Sequence, residues 1–143
     1  MTIEREPALV PELLVRDIEA SLAFWCTLCG FEISYHRPDE GFAYITRETA
    51  HLMLEQAGIG RNWITGTLEV PHGRGINFQI SVSNVDEILE KLEASDVALT
   101  QPETKWYRVG DEHAGVHQFL VTDLDGYLLR FQSPLARRPA AAL

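Results

Sequence analysis

Apolar positions recur with helical spacing in two places along the chain. Ile18, Leu22, Trp25 and Leu28 form one stripe, opened by Asp17 as N-cap and closed by Gly30 as a C′ stop. Val85, Ile88, Leu89 and Leu92 form the other, opened by Asn84 with Glu87 three residues on in a capping-box-like arrangement. Each helix follows a short apolar run, "ELLV" (12–15) or "NFQISV" (77–82), and precedes another, "FEISYH" (31–36) or "VALTQ" (97–101). Short runs rich in β-branched and aromatic residues, bounded by turn formers, read as strands. Each half then closes on a two-strand segment, "GFAYITRETAHLMLEQ" (41–56) and "VHQFLVTDLDGYLLRFQ" (116–132). In the second, Asp123-Leu124-Asp125-Gly126 is the predicted turn, with Gly126 supplying positive φ and the Asp side chains bonding to local backbone.

The two halves repeat one another. Asp17 and Asn84 lie 67 positions apart, and the same offset matches Val15 with Val82, Ile18 with Val85 and Leu22 with Leu89. The predicted fold class is α+β: two β-α-β-β-β modules at 8–56 and 76–134, a Gly-rich linker at 57–75, and a frayed tail at 135–143. A module of about 60–70 residues rarely supports a sufficient core alone. Each twisted sheet is therefore expected to bury one face under its helix and leave the other concave. The two sheets would form a cup with the helices on its outer face, and the cup is the expected binding site.

Composition narrows the partners. Hydrophobic residues are 45% and charged residues 23% of the 143, ordinary for a soluble globular chain. The formal charge of −9 argues against a nucleic-acid partner, which needs a basic footprint, and is compatible with a cationic small molecule. The apolar runs are too short to span a membrane and "MTIEREP" lacks the apolar core of a signal peptide, so a cytoplasmic location is expected. Cys26 and Cys29 lie late in the first helix, where no strand-to-helix turn stabilises a thiolate, so they read as structural thiols.

The stretches "LLVRDIEASLAFWCTLCGFEI", "AHLMLEQ" and "VTDLDGYLLRFQS" resemble the vicinal oxygen chelate superfamily of glyoxalase I, extradiol dioxygenases and bleomycin resistance proteins. The resemblance covers roughly 8–134, with Leu124 where the family's Asp-Pro-Asp-Gly hairpin has Pro. Carried over, the family's four metal-ligand positions fall at Val10, at Met53 (or Glu55 one pair on), at Asn77 and at Arg130. A guanidinium where the metalloenzymes hold an anion, and an aliphatic residue where they hold an imidazole, argue that the metal site is absent. No cofactor is therefore expected. Arg130 is left with two readings: an ion pair with Glu55 or Glu12, or contact with a ligand.

Among non-metal members the chain looks most similar to bleomycin resistance proteins, which carry comparable "LMLE" and "LLR" segments. That resemblance implies a homodimer that sequesters a cationic, aromatic antibiotic without catalysis. Such a site wants acidic groups and aromatic plates. Candidate ligand contacts are Trp63 in the linker, Trp106, Tyr107 and His113 in "ETKWYRVGDEHAG", Phe42 and Tyr44 on one strand, and His51, Met53 and Glu55 on the next. Asn77 and Arg130 complete the set, and no catalytic residue is assigned. His113 and His117 are four apart but straddle a loop and a strand start, so a helical zinc pair is not expected. The alternative function is a glyoxalase/dioxygenase-like enzyme acting on a small metabolite, either a metal-dependent lyase or dioxygenase with relocated ligands or a metal-free isomerase with Glu55 or His51 as general base.

Overall fold

The computed structural model describes residues 6–140 and divides into two compact units, Met1–Val70 and Pro71–Leu143. In the first unit, strand β1 (Glu12–Val15) leads into helix α1 (Ile18–Leu22), which continues as a wider π turn over Ala23–Leu28. Strands β2 (Glu32–Arg37), β3 (Phe42–Arg47) and β4 (Ala50–Gln56) follow, and the sheet order is β1-β4-β3-β2. The second unit repeats the plan with β5 (Asn77–Ser81), α2 (Val85–Glu93), β6 (Glu103–Val109), β7 (Glu112–Thr122) and β8 (Leu128–Pro139). Its order is β5-β8-β7-β6, the same topology. In each unit the first strand pairs parallel with the last and the remaining pairs are antiparallel. This is the α+β repeat expected from the hydrophobic pattern.

Local chemistry accounts for the element boundaries. The Asp17 carboxylate accepts from the backbone N–H of Glu19 and Ala20, and the Asn84 side chain accepts from that of Asp86. Gly30 ends the first helical stretch at φ +74°. At the β7–β8 turn, Asp123 Oδ1 accepts from the N–H of Asp125 and Tyr127, and Gly126 takes φ +96°.

One sheet face is apolar and buried in each unit. Leu13, Val15, Ala43, Ile45, Leu52 and Leu54 alternate along the first sheet, and Ile80, Phe119, Val121, Leu129 and Phe131 along the second. The stripe Val85, Ile88, Leu89 and Leu92 is wholly buried, as expected. The first stripe is not. Trp25 is fully buried, but Ile18, Leu22 and Leu28 are half-buried, and Ser21, Phe24 and Cys29 take the interior. The π turn causes this: with Cys29 N–H bonded to the carbonyl of Phe24, five residues back, the register leaves the 3.6 period. Cys26 and Cys29 are free, and burial pushes the Cys26 thiol above its ordinary value, against any thiolate.

Three other expectations are corrected. The run 97–101 is no strand; it contributes only an isolated bridge, Leu99 to Val121, and the edge strand is β6, six residues later. The segment "ETKWYRVGDEHAG", read as a loop, is instead a hairpin, with Trp106 opposite Gly115 and Tyr107 opposite Ala114. The tail is not frayed up to Pro139. Because β7 starts as early as Glu112, its first residues offer a ladder to Arg137, Arg138 and Pro139, and the Arg138 guanidinium lies 3.4 Å over the Trp106 ring. Residues 141–143 of the tail lie outside the described residues. The unit boundary falls between Val70 and Pro71, and His72 is buried edge-on against Tyr127.

Candidate functional site

The sheet face opposite the apolar one carries the candidate chemistry in each unit. In the first unit, register places Glu12 opposite Met53, Met53 opposite Tyr44, and Tyr44 opposite Tyr35. Leu14, Glu55, Phe42 and Arg37 make the next rung. Tyr35 stacks on Tyr44 with ring centroids 5.1 Å apart and 15° between planes. The Arg37 guanidinium sits 4.0 Å over the Phe42 ring and is paired with Glu40. The Tyr44 hydroxyl and His51 Nδ1 are 2.7 Å apart. Burial holds the Tyr44 hydroxyl above its ordinary pKa, reinforced by Glu6 and Tyr35, so it stays a phenol.

Glu12 is the perturbed acid of this face. Desolvation first, then the charge of Glu55 and a hydrogen bond with it, raise the Glu12 pKa, while Arg37 pulls it down. The nearby Glu55 carboxylate disfavours a second negative charge on Glu12 by like-charge repulsion. Because Glu12 is largely exposed, water screens the effect.

The second unit uses the same positions differently. Gln79 is opposite Arg130, and Arg130 is opposite Leu120; Ser81, Gln132, Gln118 and Glu103 form the next rung. Arg130 Nη2 donates to Gln79 Oε1 at 3.1 Å, and Gln132 Nε2 donates to Ser81 Oγ at 2.9 Å. Gln118 Nε2 donates to Glu103 Oε1 at 3.0 Å and to the Tyr107 hydroxyl at 2.7 Å. Two cavities open on this face, of about 380 and 370 Å³, and both are lined by Arg130 and Tyr107.

The residues expected to form a site are thus only partly brought together. Phe42, Tyr44, His51, Met53 and Glu55 share one face, although Phe42 and Tyr44 are buried. Tyr107 and Arg130 share cavities in the second unit. Asn77 is exposed at the start of β5, opposite Leu128. Trp106 does not join Tyr107: strand alternation turns it to the opposite face, against Gly115 and Arg138. His113 lies on the rung of Arg108 and Arg138, in β7 rather than a loop. His117, also on β7, sits 3.6 Å from Asp86 on α2. Trp63, outside the strands, is 71% exposed under the Arg61 guanidinium.

Residues that the sequence reading passed over include Tyr35, Gln79, Gln118 and Gln132. Period-two alternation from Tyr44 or Arg130 gives the strand face but not the partner strand, so register was the missing signal.

The family model for the Glyoxalase/Bleomycin resistance protein/Dioxygenase superfamily matches residues 9–131. The chain belongs to that superfamily. A superfamily member from Vibrio splendidus 12B01 is 36% identical over 88% of this chain and 97% of its own, with a TM-score of 0.40. TioX from Micromonospora sp. ML1 is 21% identical over 90% and 100%, with a TM-score of 0.63. The fosfomycin resistance protein FosX from Listeria monocytogenes is 18% identical over 92% and 94%, with a TM-score of 0.60, a likeness of fold. No curated protein matches the chain.

Superfamily membership raises the question of a divalent metal. Carried over by that resemblance, the four ligand positions fall at Val10, at Met53 or Glu55, at Asn77 and at Arg130, which offer a hydrocarbon, a thioether or a carboxylate, a carboxamide and a cation. A hard or borderline divalent ion needs imidazole or carboxylate ligands, and the Arg130 guanidinium would repel it. These residues do not fit the metal. Among the described residues, no three His, Cys, Asp or Glu side chains cluster for one elsewhere.

Proposed function

We propose that the protein binds and sequesters a cationic aromatic small molecule without catalysis, with a bleomycin-family antibiotic as the first ligand to test. One observation carries this reading: the first unit's face already holds a flat cation on an aromatic surface, the Arg37 guanidinium over Phe42. Tyr35, 40% exposed and stacked on Tyr44, extends that surface to solvent. Glu12 and Glu55 bring acidic groups to the same face. The acidic net charge of −9 favours the encounter. In this reading the working form is a homodimer, which sedimentation measures directly.

The test is a titration of metal-free bleomycin followed by intrinsic fluorescence, with Glu12→Gln/Glu55→Gln and Tyr35→Ala beside the parent. Saturable binding weakened in both variants is the expected result. A flat curve at micromolar drug removes bleomycin, and equal affinity in the variants removes this face.

The Tyr44–His51 contact of 2.7 Å favours a second reading, a metal-free isomerase acting on a small carbonyl metabolite. With Nδ1–H donating to the Tyr44 oxygen, the neutral ring keeps its lone pair on Nε2, so the contact orients the imidazole as a base. His51 or Glu55 would then be the general base. Deuterium incorporation from D₂O into a small α-hydroxyketone, lost in His51→Asn, distinguishes this reading from sequestration.

A further inference from the structure

Among the described residues, Arg130 has no carboxylate partner. Among the described residues its guanidinium has one hydrogen-bond partner, the neutral Gln79 amide, and its Nε is buried without an acceptor. A half-buried cation without a carboxylate partner is unusual, because desolvating it costs free energy that only a counter-charge offsets.

A second donor faces the same space. Gln118 Nε2 must be the nitrogen, since a carboxylate, Glu103, accepts from it. Its other hydrogen goes to the Tyr107 oxygen, so Tyr107 is the acceptor in that bond. The phenol's own O–H hydrogen is then free to donate. Tyr107 is 37% exposed and lines both cavities with Arg130.

The two cavities differ in what else they contain. The one of about 380 Å³ includes Glu103, which disfavours an anion. The other, about 370 Å³, has no carboxylate on its wall: Arg130, Tyr107 and Gln79 meet Arg137, with Val116 and Leu135 among the apolar lining. Arg137 is half-exposed and spends part of its charge on Glu112 at 3.5 Å.

We infer that this cavity of the second unit binds an organic carboxylate on an apolar body, held by the Arg130 guanidinium and the Tyr107 hydroxyl. The planar fork of Arg matches a carboxylate edge, and the Val116–Leu135 side takes the hydrocarbon. The inference stands apart from the proposed capture of a cation, which concerns the first unit's face and is read with bleomycin. Either can fail without the other.

The test is a ligand-detected NMR titration of the full chain with phenylacetate at fixed ionic strength, against inorganic phosphate and the neutral phenylacetamide. Phenylacetate is expected to bind saturably and more tightly than either comparator. Losing a charge-assisted fork should weaken it about ten-fold or more in Arg130→Gln, less in Arg130→Lys, and a few-fold in Tyr107→Phe. Circular dichroism checks the fold, and Tyr107→Phe, at an exposed position, carries the test alone if Arg130→Gln unfolds. Equal affinity in folded Arg130→Gln, no loss in Tyr107→Phe, the neutral phenylacetamide binding as well as phenylacetate, or no saturation would each overturn the inference. Phosphate binding as tightly as phenylacetate would overturn the apolar body.

Discussion

At matched positions the two units carry opposite chemistry on the same scaffold. Glu12 opposite Met53 in the first becomes Gln79 opposite Arg130 in the second; Leu14 opposite Glu55 becomes Ser81 opposite Gln132. The buried faces, by contrast, stay apolar in both. A repeated fold therefore constrains the alternate residues that fill the core and leaves the intervening ones free to diverge. The first face turned acidic and aromatic. The second gathered the amides Gln79, Gln118 and Gln132 around Arg130.

The comparison breaks most severely in the shared core. Leu52 and Leu129 occupy corresponding buried places, 3% and 0% exposed, so Leu52→Ala and Leu129→Ala should each lose about 2–5 kcal/mol in urea unfolding. Losses near zero in either unit would mean that its sheet is not packed as described. Next is Gly126→Ala, since a methyl there would approach Pro71 Cα to 2.5 Å at φ +96°. A cost of about 1–3 kcal/mol is expected, while Gly58→Ala, with positive φ but open space, should cost less.

The caps sharpen the likeness. Asp17→Ala and Asn84→Ala should each cost about 1 kcal/mol in thermal unfolding, because each removes the side-chain acceptor of a helix N-terminus. Smallest is the effect of giving the first unit the second unit's residue, Glu12→Gln. A carboxyl whose folded pKa lies above its ordinary 4.5 binds its proton more tightly in the folded state. Its stabilisation is full below 4.5 and is lost as pH rises through the raised value. Melting curves across that window should slope downward in the parent and flatten in Glu12→Gln, with an unchanged slope counting against the Glu12–Glu55 pairing.

The candidate site was legible in part. That Arg130 breaks an apolar strand is visible in "YLLRFQ", and that Glu55 follows "LML" marks the other half's sheet face. Trp106 and Tyr107 were grouped because they are neighbours in sequence, yet a strand sends neighbours to opposite faces. The pairing of the tail up to Pro139 is not legible in the tail itself, because its partner strand, from Glu112 onward, sits more than twenty residues away. The π turn left no sign in the apolar spacing.

By itself the sequence determined the repeat, the caps, the β7–β8 turn and the family. All of these depend on spacing between near neighbours or on residue types that local backbone geometry demands. Only the tertiary structure decided which side chains meet. Gln79 reaches Arg130 across 51 positions, and Gln118 reaches Tyr107 across a hairpin. Such partners are chosen by strand register, which is set by the packing of whole sheets rather than by local sequence.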